Sequence, residues 1–554
     1  MKKPLLSELT LREKIGQTVA MSPRVMANVT DIDGYFKENP YGGMWTAGHI
    51  KMDFVNLADD ISTSGDIDYD IDKKIRNFCG HVSKLLKAPF LSAMDAERGC
   101  GRTFPYFSDT PTNNGIAATC NPQAAYDIAK AIAREIKLSG TRWDWGPVCD
   151  NASPLRAVSL TRSFSSDIEL SKKMITAYVQ GVQSEDVAAT LKHFPGADRD
   201  EYRDTHFTES LLMQSMEEWW ERQGCLFAAG IDAGVYSIMI DHGGFPACDD
   251  TQIDGRYLPS TLSKKVITGL LKEKMGFKGV VITDAVGMGA VSSAFPSAED
   301  YYAALYNAGN DVILGPDNDN YFELVEAAIA NGKLSVERID DACQRVLDMK
   351  EKLGIFDEDF APVSDEERKA AVEHTAEVCR KYASKSITWM SRKNNLIPVK
   401  KENIKKVQLI YIGYAADVYQ NLNAVKEEFE KHGAEVFMCE DVHSADHIKG
   451  IAEECDLILY FAHIAPHSPY GGASFFMYKA TQFLNVLKYG AEKSVCIGTG
   501  SPFVFYDWFS TSMNYLNAYT SDPESLKVLV RGLYGECEFE GKCPYNPNPL
   551  APRL

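Results

Sequence analysis

Five apolar runs stop abruptly on ionisable side chains: "APFLSAMDAERG" on Asp95 and Glu97, "WDWGPVCDN" on Asp150, "VAATLKHFPG" on Lys192 and His193, "GVYSIMIDHGG" on Asp241 and His242, and "KGVVITDAVGMG" on Asp284. From about residue 40 to 320 such runs alternate with segments of helical period, the signature of repeated βα units around a parallel sheet. Two of those segments, "SKKMITAYVQGVQS" and "LSKKVITGLLKEKMG", carry apolar residues three and four apart, and the second closes on Gly276 as a helix does. A (β/α)8 barrel places its active site at the carboxyl ends of its strands. One shared pocket therefore accounts for all five polar endings more simply than five separate buried charges.

The chain has 554 residues, too many for one ordinary core, so a second domain is expected. "VSDEERKAAVEHTAEVCRKYASKSITWM" predicts one long amphipathic helix, opened by Ser364 with Glu367 three residues on, a capping-box pattern. After "NNLIPVKKEN" four strand-like runs follow, "KKVQLIYIGY", "AEVFMCE", "DLILYFAHI" and "SVCIGTG", separated by helical stretches such as "VYQNLNAVKEEFEKHG". The expected fold is α/β, a (β/α)8-type barrel over residues 1–355, a linker and long helix over 356–399, and a smaller doubly wound α/β sandwich domain over 400–554. "GYAADVYQN" and "GTGSPF" lack the full G-x-G-x-x-G spacing, which argues against a dinucleotide. The Pro-rich tail "CPYNPNPLAPRL" is expected to lie extended on the surface.

A formal net charge of −19 disfavours nucleic acid and anionic membrane surfaces, which carry charge of the same sign. A neutral or small substrate fits better. The amino terminus breaks into charge before any apolar region of signal-peptide length, and no stretch reaches about 18 uninterrupted apolar residues. The reading is a cytoplasmic protein, monomer or homodimer. Its 13 cysteines are scattered without a Cys-x-x-Cys spacing, so reduced and mostly buried thiols are expected, with no metal site.

Taken singly, each polar residue has a plain structural reading. Asp284, ending a strand before small residues, can be a helix N-cap. Asp204 and His206 in "DTH" can form a local Asx-type turn, although the same spacing lets the carboxylate hold the imidazole and favour its protonated form. Asp95, Glu97, Arg98 and Arg102 can be a solvated ion-pair loop. Lys192 is harder to dismiss, because a lysine entering a barrel mouth is costly unless solvated, paired or bound to substrate oxygens.

The constellation as a whole resembles a known family. "LTRSFSSDIELSKKMITAYVQGVQSEDVAATLKHFPG", the following "DTH", and "LPSTLSKKVITGLLKEKMGFKGVVITDAVGMGAV" are similar to glycoside hydrolase family 3, in particular to its β-N-acetylglucosaminidase branch, and the likeness runs from "LREKIGQ" through "NNLIP" into the second domain. The resemblance implies a barrel followed by an α/β sandwich and a retaining exo-β-glycosidase of small soluble carbohydrates that needs no cofactor. It implies Asp284 as nucleophile and His206 as general acid/base with Asp204 as its partner. Lys192, His193, Asp95 and Arg162 would bind the sugar. In the family's β-glucosidase branch a second-domain glutamate would supply the acid, and Glu440 and Glu454 are the candidates here.

The chain also departs from that pattern. "ADRDEYR" replaces the second half of K-H-F-P-G-H-G, and "DAERGCGR" stands for D-x-E-G-G-R. Both changes border the place expected for the sugar's substituents, so the glycone can be N-acetylglucosamine, glucose or another sugar. A histidine acid/base does not repel an anionic acceptor as a carboxylate would, so phosphate can compete with water. A non-catalytic sugar-binding protein of the same fold is a more remote reading.

Overall fold

The structure, a computed structural model, describes residues 1–26, 29–46, 68–151, 161–196, 201, 203–292, 295, 297–316, 318–413, 415–440, 444–463, 489–502 and 514–545. It divides into two compact units that interleave along the chain: 1–108, 126–151 and 175–373 form the first, and 109–125, 152–174 and 374–554 the second.

Eight short parallel strands build the first unit: β1 (Val19–Ala20), β2 (Gly43–Trp45), β3 (Leu91–Met94), β4 (Trp143–Asp144), β5 (Thr190–Phe194), β6 (Ser237–Ile240), β7 (Val280–Thr283) and β8 (Ile313–Leu314). Each is joined to the next by parallel pairing or a parallel bridge, and Val19 opposite Ile313 closes β8 back onto β1. The ring is a (β/α)8-type barrel, as the alternation of runs predicts. Closure explains why the runs are so apolar, since helices cover the outside and side chains fill the inside. Part of the interior is a hydroxyl layer, in which Trp143 donates through Nε1 to Thr190 Oγ1 at 2.9 Å and Ser237 Oγ at 2.8 Å.

The amino ends of the strands are held by a buried cation. Lys350, fully buried on the helix Val336–Lys352, donates through Nζ to Gln17 Oε1 at 2.6 Å, Gly42 O at 3.0 Å and Pro89 O at 2.6 Å. These acceptors immediately precede β1, β2 and β3. Burial pushes the ammonium down to about 7.

In the second unit a six-stranded sheet has the order β9-β14-β13-β12-β10-β11, where β9 is Thr388–Ser391, β10 Lys406–Ile412, β11 Glu435–Glu440, β12 Leu457–Ala462, β13 Ser494–Gly498 and β14 Asn514–Asn517. All pairs are parallel except β9 with β14. Val407, Leu409, Leu457, Leu459 and Phe461 face one apolar cluster, while Ile410, Ile412, Ile458, Tyr460 and Ala462 face the other. Both faces are buried, as a doubly wound sheet requires.

The four strand-like runs read from the sequence form strands, and two further strands join them. The long helix ends at Ser386, and "TWMS" becomes β9 instead of continuing it. Ile387, Thr388 and Trp389 are β-branched or aromatic, and the sheet edge offered by β14 captures them. The predicted capping box is present: Glu367 N–H donates to Ser364 Oγ at 3.2 Å, and Ser364 N–H to Glu367 Oε2 at 3.0 Å. No disulfide joins the cysteines. Among the described residues no helix is long and apolar enough to cross a membrane.

Candidate active site

The carboxyl ends of β3 to β7 carry the polar residues, so barrel closure gathers them at one mouth. Asp284 follows β7, and its amide donates to Ile240 O at 3.0 Å, which ties it to the end of β6. Its Oδ1 accepts the Ala285 amide at 2.7 Å, and the side chain remains partly exposed. It caps no helix, since the next one begins at Gly289. Burial alone would raise its pKa, but the neighbouring imidazoles of His193, His242 and His206 and the Ala285 amide outweigh burial and hold Asp284 below the ordinary carboxylate value.

His242 supports that turn. Nε2 lies 2.9 Å from the Ala285 carbonyl and Nδ1 2.9 Å from Thr261 Oγ1. A carbonyl can only accept, so Nε2 carries the proton and Nδ1 accepts from the threonine. Burial favours this neutral form and lowers the imidazole pKa.

Asp204 and His206 meet as their spacing suggests. Asp204 Oδ1 accepts His206 Nδ1 at 2.7 Å and the His206 amide at 2.9 Å, so the Asx-type turn and the ring-holding pair are the same structure. The imidazole is exposed. The segment is fastened to the turn after Asp284: Gly289 N–H donates to His206 O at 2.9 Å and Ala290 N–H to Thr205 O at 3.2 Å. A side chain at Gly289 would place its Cβ 2.7 Å from Phe207 O. The small residues after Asp284 thus include one that makes room for the backbone of the His206 segment.

Lys192 is almost entirely buried at the end of β5, and its Nζ lies 2.6 Å from both Asp95 Oδ1 and Glu97 Oε1. Asp95 and Glu97 thus share a buried cation, while Asp95 and Arg102 keep solvent exposure. Asp150 accepts the His193 amide at 3.1 Å and faces His193 Nδ1 at 3.0 Å, which fixes the ring. Below them Asp144, at the end of β4, is fully buried and accepts the Ala96 amide at 3.2 Å. Burial, opposed by Lys192, pushes its pKa up to about 7. Asp144 was not singled out in the sequence, because in "TRWDWGP" it lies inside the run that ends on Asp150.

Residues 10–349 match the glycosyl hydrolase family 3 N terminal domain. The chain belongs to glycosyl hydrolase family 3. It is 28% identical over 480 residues to a "beta-N-acetylglucosaminidase/beta-glucosidase" of Cellulomonas fimi, covering 82% of this chain and 83% of that one. Among solved structures, a β-glucoside phosphorylase superposes with a TM-score of 0.81 at 23% identity, covering 98% of this chain and 94% of that one. A family 3 β-N-acetylglucosaminidase from Paenibacillus sp. str. FPU-7 gives 0.79 at 23% identity, covering 97% and 99%. The family 3 fold, a barrel with an α/β sandwich, is the one described above, and the chain is a glycoside hydrolase.

Of the sequence-predicted site residues, Asp284, Asp204, His206, Lys192, His193 and Asp95 all stand on the first unit of this family 3 chain. Arg162 belongs to the second unit, where its carbonyl accepts Asn113 Nδ2 at 2.6 Å. Glu440, the last residue of β11, and Glu454, the last of the helix Ala445–Glu454, are exposed in that same unit. Residues 197–200 and 202 of the "ADRDEYR" loop, and the tail beyond residue 545, lie outside the described residues. Glu201, described and buried, accepts from Arg203 Nη2 at 2.6 Å and from the Leu211 amide at 2.9 Å.

Proposed function

We propose that this family 3 chain is a retaining exo-β-glycosidase of small soluble carbohydrates, acting first on β-N-acetylglucosaminides, in the cytoplasm, as a monomer or homodimer. The domain limits that go with it are a barrel over 1–355, a connecting helix over 356–399 and a sandwich over 400–554. The observation that supports the reading is the backbone fastening of the Asp204–His206 segment to the turn that follows Asp284.

Asp284, kept ionised, attacks C1 of the glycone and forms a covalent glycosyl ester while the bond to the leaving oxygen breaks. His206 passes its proton to that oxygen, and Asp204 steadies the imidazolium before transfer. A retaining enzyme normally uses a second carboxyl group for this step. Histidine can replace it because its ordinary pKa of about 6.5 lies near working pH. In the second step neutral His206 takes a proton from water, which attacks C1 and releases Asp284. Lys192, His193 and Asp95 bind the glycone hydroxyls. The displacement requires neither metal nor organic cofactor.

Phosphate as acceptor is the second reading, supported by the likeness to a β-glucoside phosphorylase and by an acid/base that carries no negative charge when neutral. A panel of aryl β-glycosides of N-acetylglucosamine, glucose and other sugars, with and without phosphate, tests both. The expected result is release of the β-anomeric sugar first, fastest from the N-acetylglucosaminide. A first-formed α anomer overturns the retaining reading, and a glycosyl phosphate as main product selects the second one.

A further inference from the structure

Two of the acidic groups that grip Lys192 sit on one turn, with a single residue, Ala96, between them. Asp95 and Glu97 each approach Lys192 Nζ at 2.6 Å, and the amide of the intervening Ala96 donates to Asp144 Oδ1 at 3.2 Å. Asp144 is fully buried; Tyr178 faces its carboxyl group, and Oδ2 lies outside the bond to Ala96. The nearby Gly146 has no side chain to cover it, and a Cβ there would lie 3.1 Å from that oxygen.

We propose that Asp144 is a positioning residue for the glycone: through the Ala96 amide it sets the turn that carries Asp95 and Glu97 against Lys192, and its ionisation tunes how firmly that turn is held. The groups facing it are Lys192 from β5, Asp95 and Glu97 from the turn after β3, and Tyr178 from the helix Ile168–Gln183. Lys192 favours the carboxylate, whereas Asp95, Glu97 and the lack of solvent favour the neutral acid. The balance puts the change of state at about 7. Below that pH Ala96 donates to a neutral acceptor, and above it to a carboxylate, which accepts more strongly. Substrate need not touch Asp144 for either effect.

The kinetic arm of the test rests on the glycosidase reading, and the exchange arm does not. In the wild-type chain, KM for an aryl β-glycoside should fall about fivefold as pH rises from 6 to 8, the difference between a neutral and a charge-assisted hydrogen bond. Hydrogen–deuterium exchange of the peptide 91–104, corrected for intrinsic rate, should slow over the same interval. Asp144→Asn keeps an acceptor for Ala96 without the ionisation, so both quantities should lose their step while kcat on an activated substrate stays close to wild type. Asp144→Leu should expose the peptide to fast exchange at every pH and raise KM about tenfold, the loss of one such bond. A wild-type step retained in Asp144→Asn overturns the proposal, and so does wild-type exchange with wild-type KM in Asp144→Leu. Should Asp144→Leu fail to fold, the asparagine variant decides. If the wild-type chain cleaves no glycoside of the panel, the proposed function falls, and the exchange step still shows whether Asp144 holds the turn.

Discussion

Gly289 donates its amide to the carbonyl of His206 at 2.9 Å, and this bond couples the segment bearing the proposed acid to the turn that follows the proposed nucleophile. The glycine is required by space, since a Cβ would stand 2.7 Å from Phe207 O and 3.0 Å from its carbonyl carbon. The atoms met are backbone of the His206–Phe207 segment, so no flexible side chain can give way.

Gly289→Ala is therefore expected to displace the His206 segment while leaving β7 and Asp284 in place. Turnover of an alkyl or sugar glycoside should fall by about tenfold or more, the scale for partial loss of general acid catalysis. A dinitrophenyl glycoside, whose leaving group departs almost unaided, should be little affected. Equal loss on both substrates contradicts the coupling.

Asp284→Ala should lower kcat by several orders of magnitude with little change in Tm, because a partly exposed pocket carboxylate contributes little packing. A 2-deoxy-2-fluoro glycosyl trap should label the peptide containing Asp284. A stable label elsewhere removes it as nucleophile. Its pKa is depressed, so the folded state binds fewer protons than the unfolded one. The stability it contributes is complete above the ordinary aspartate value, about 3.9, and is lost as pH falls through the folded value. The acid limb of kcat/KM should accordingly lie below that ordinary value, provided the limb follows the nucleophile.

His206→Ala should slow poor leaving groups strongly and good ones little, and added azide should speed turnover of the activated substrate. Asp204→Asn should move the alkaline limb to lower pH, because the imidazolium loses its anionic partner at 2.7 Å. Uniform damage to every substrate makes His206 a structural residue and turns attention to Glu440 and Glu454.

Lys192→Ala leaves Asp95 and Glu97 facing one another without their shared cation. The expected cost in kcat/KM is about 2–4 kcal/mol, that of one charge-assisted contact to the developing transition state. Near-native kinetics of this variant would reduce the lysine to a structural ion pair.

At the opposite end of the barrel, Lys350→Met should destabilise the fold by about 3 kcal/mol or more, since three buried acceptors lose their donor. Its pH signature follows from sign. The folded pKa of about 7 lies far below the ordinary lysine value, so the unfolded chain binds more protons between the two. Wild-type Tm should rise from pH 7 towards pH 9 for this reason, and the methionine variant should lose that part of the rise. Activity per folded molecule should not change.

Much of this molecule can be read along the chain, because the decisive signals are local. Apolar runs ending on Asp95, Lys192 and Asp284 with helical stretches between them specify βα units, and right-handed βα repetition leads to a closed barrel whose carboxyl ends share one mouth. D-x-H spacing brings Asp204 to its own His206 in any turn that forms. The near-continuous apolar runs "KVQLIYI" and "LILYFA" likewise declare a sheet buried on both faces.

Tertiary structure decided everything that depends on partners distant in sequence. "TWMS" and "NYLN" are too short to announce themselves; "NYLN" is a strand because β13 pairs with it, and "TWMS" because it then pairs with the edge that β14 offers. Gly289 beside His206, His242 under Ala285, Asp150 behind His193 and Lys350 beneath three strands all join segments that meet only when the ring closes. Asp144 differs from the other strand-end carboxylates in one respect, that the barrel buries it completely. Burial is a property of the assembled neighbours, and so is the protonation state that follows from it.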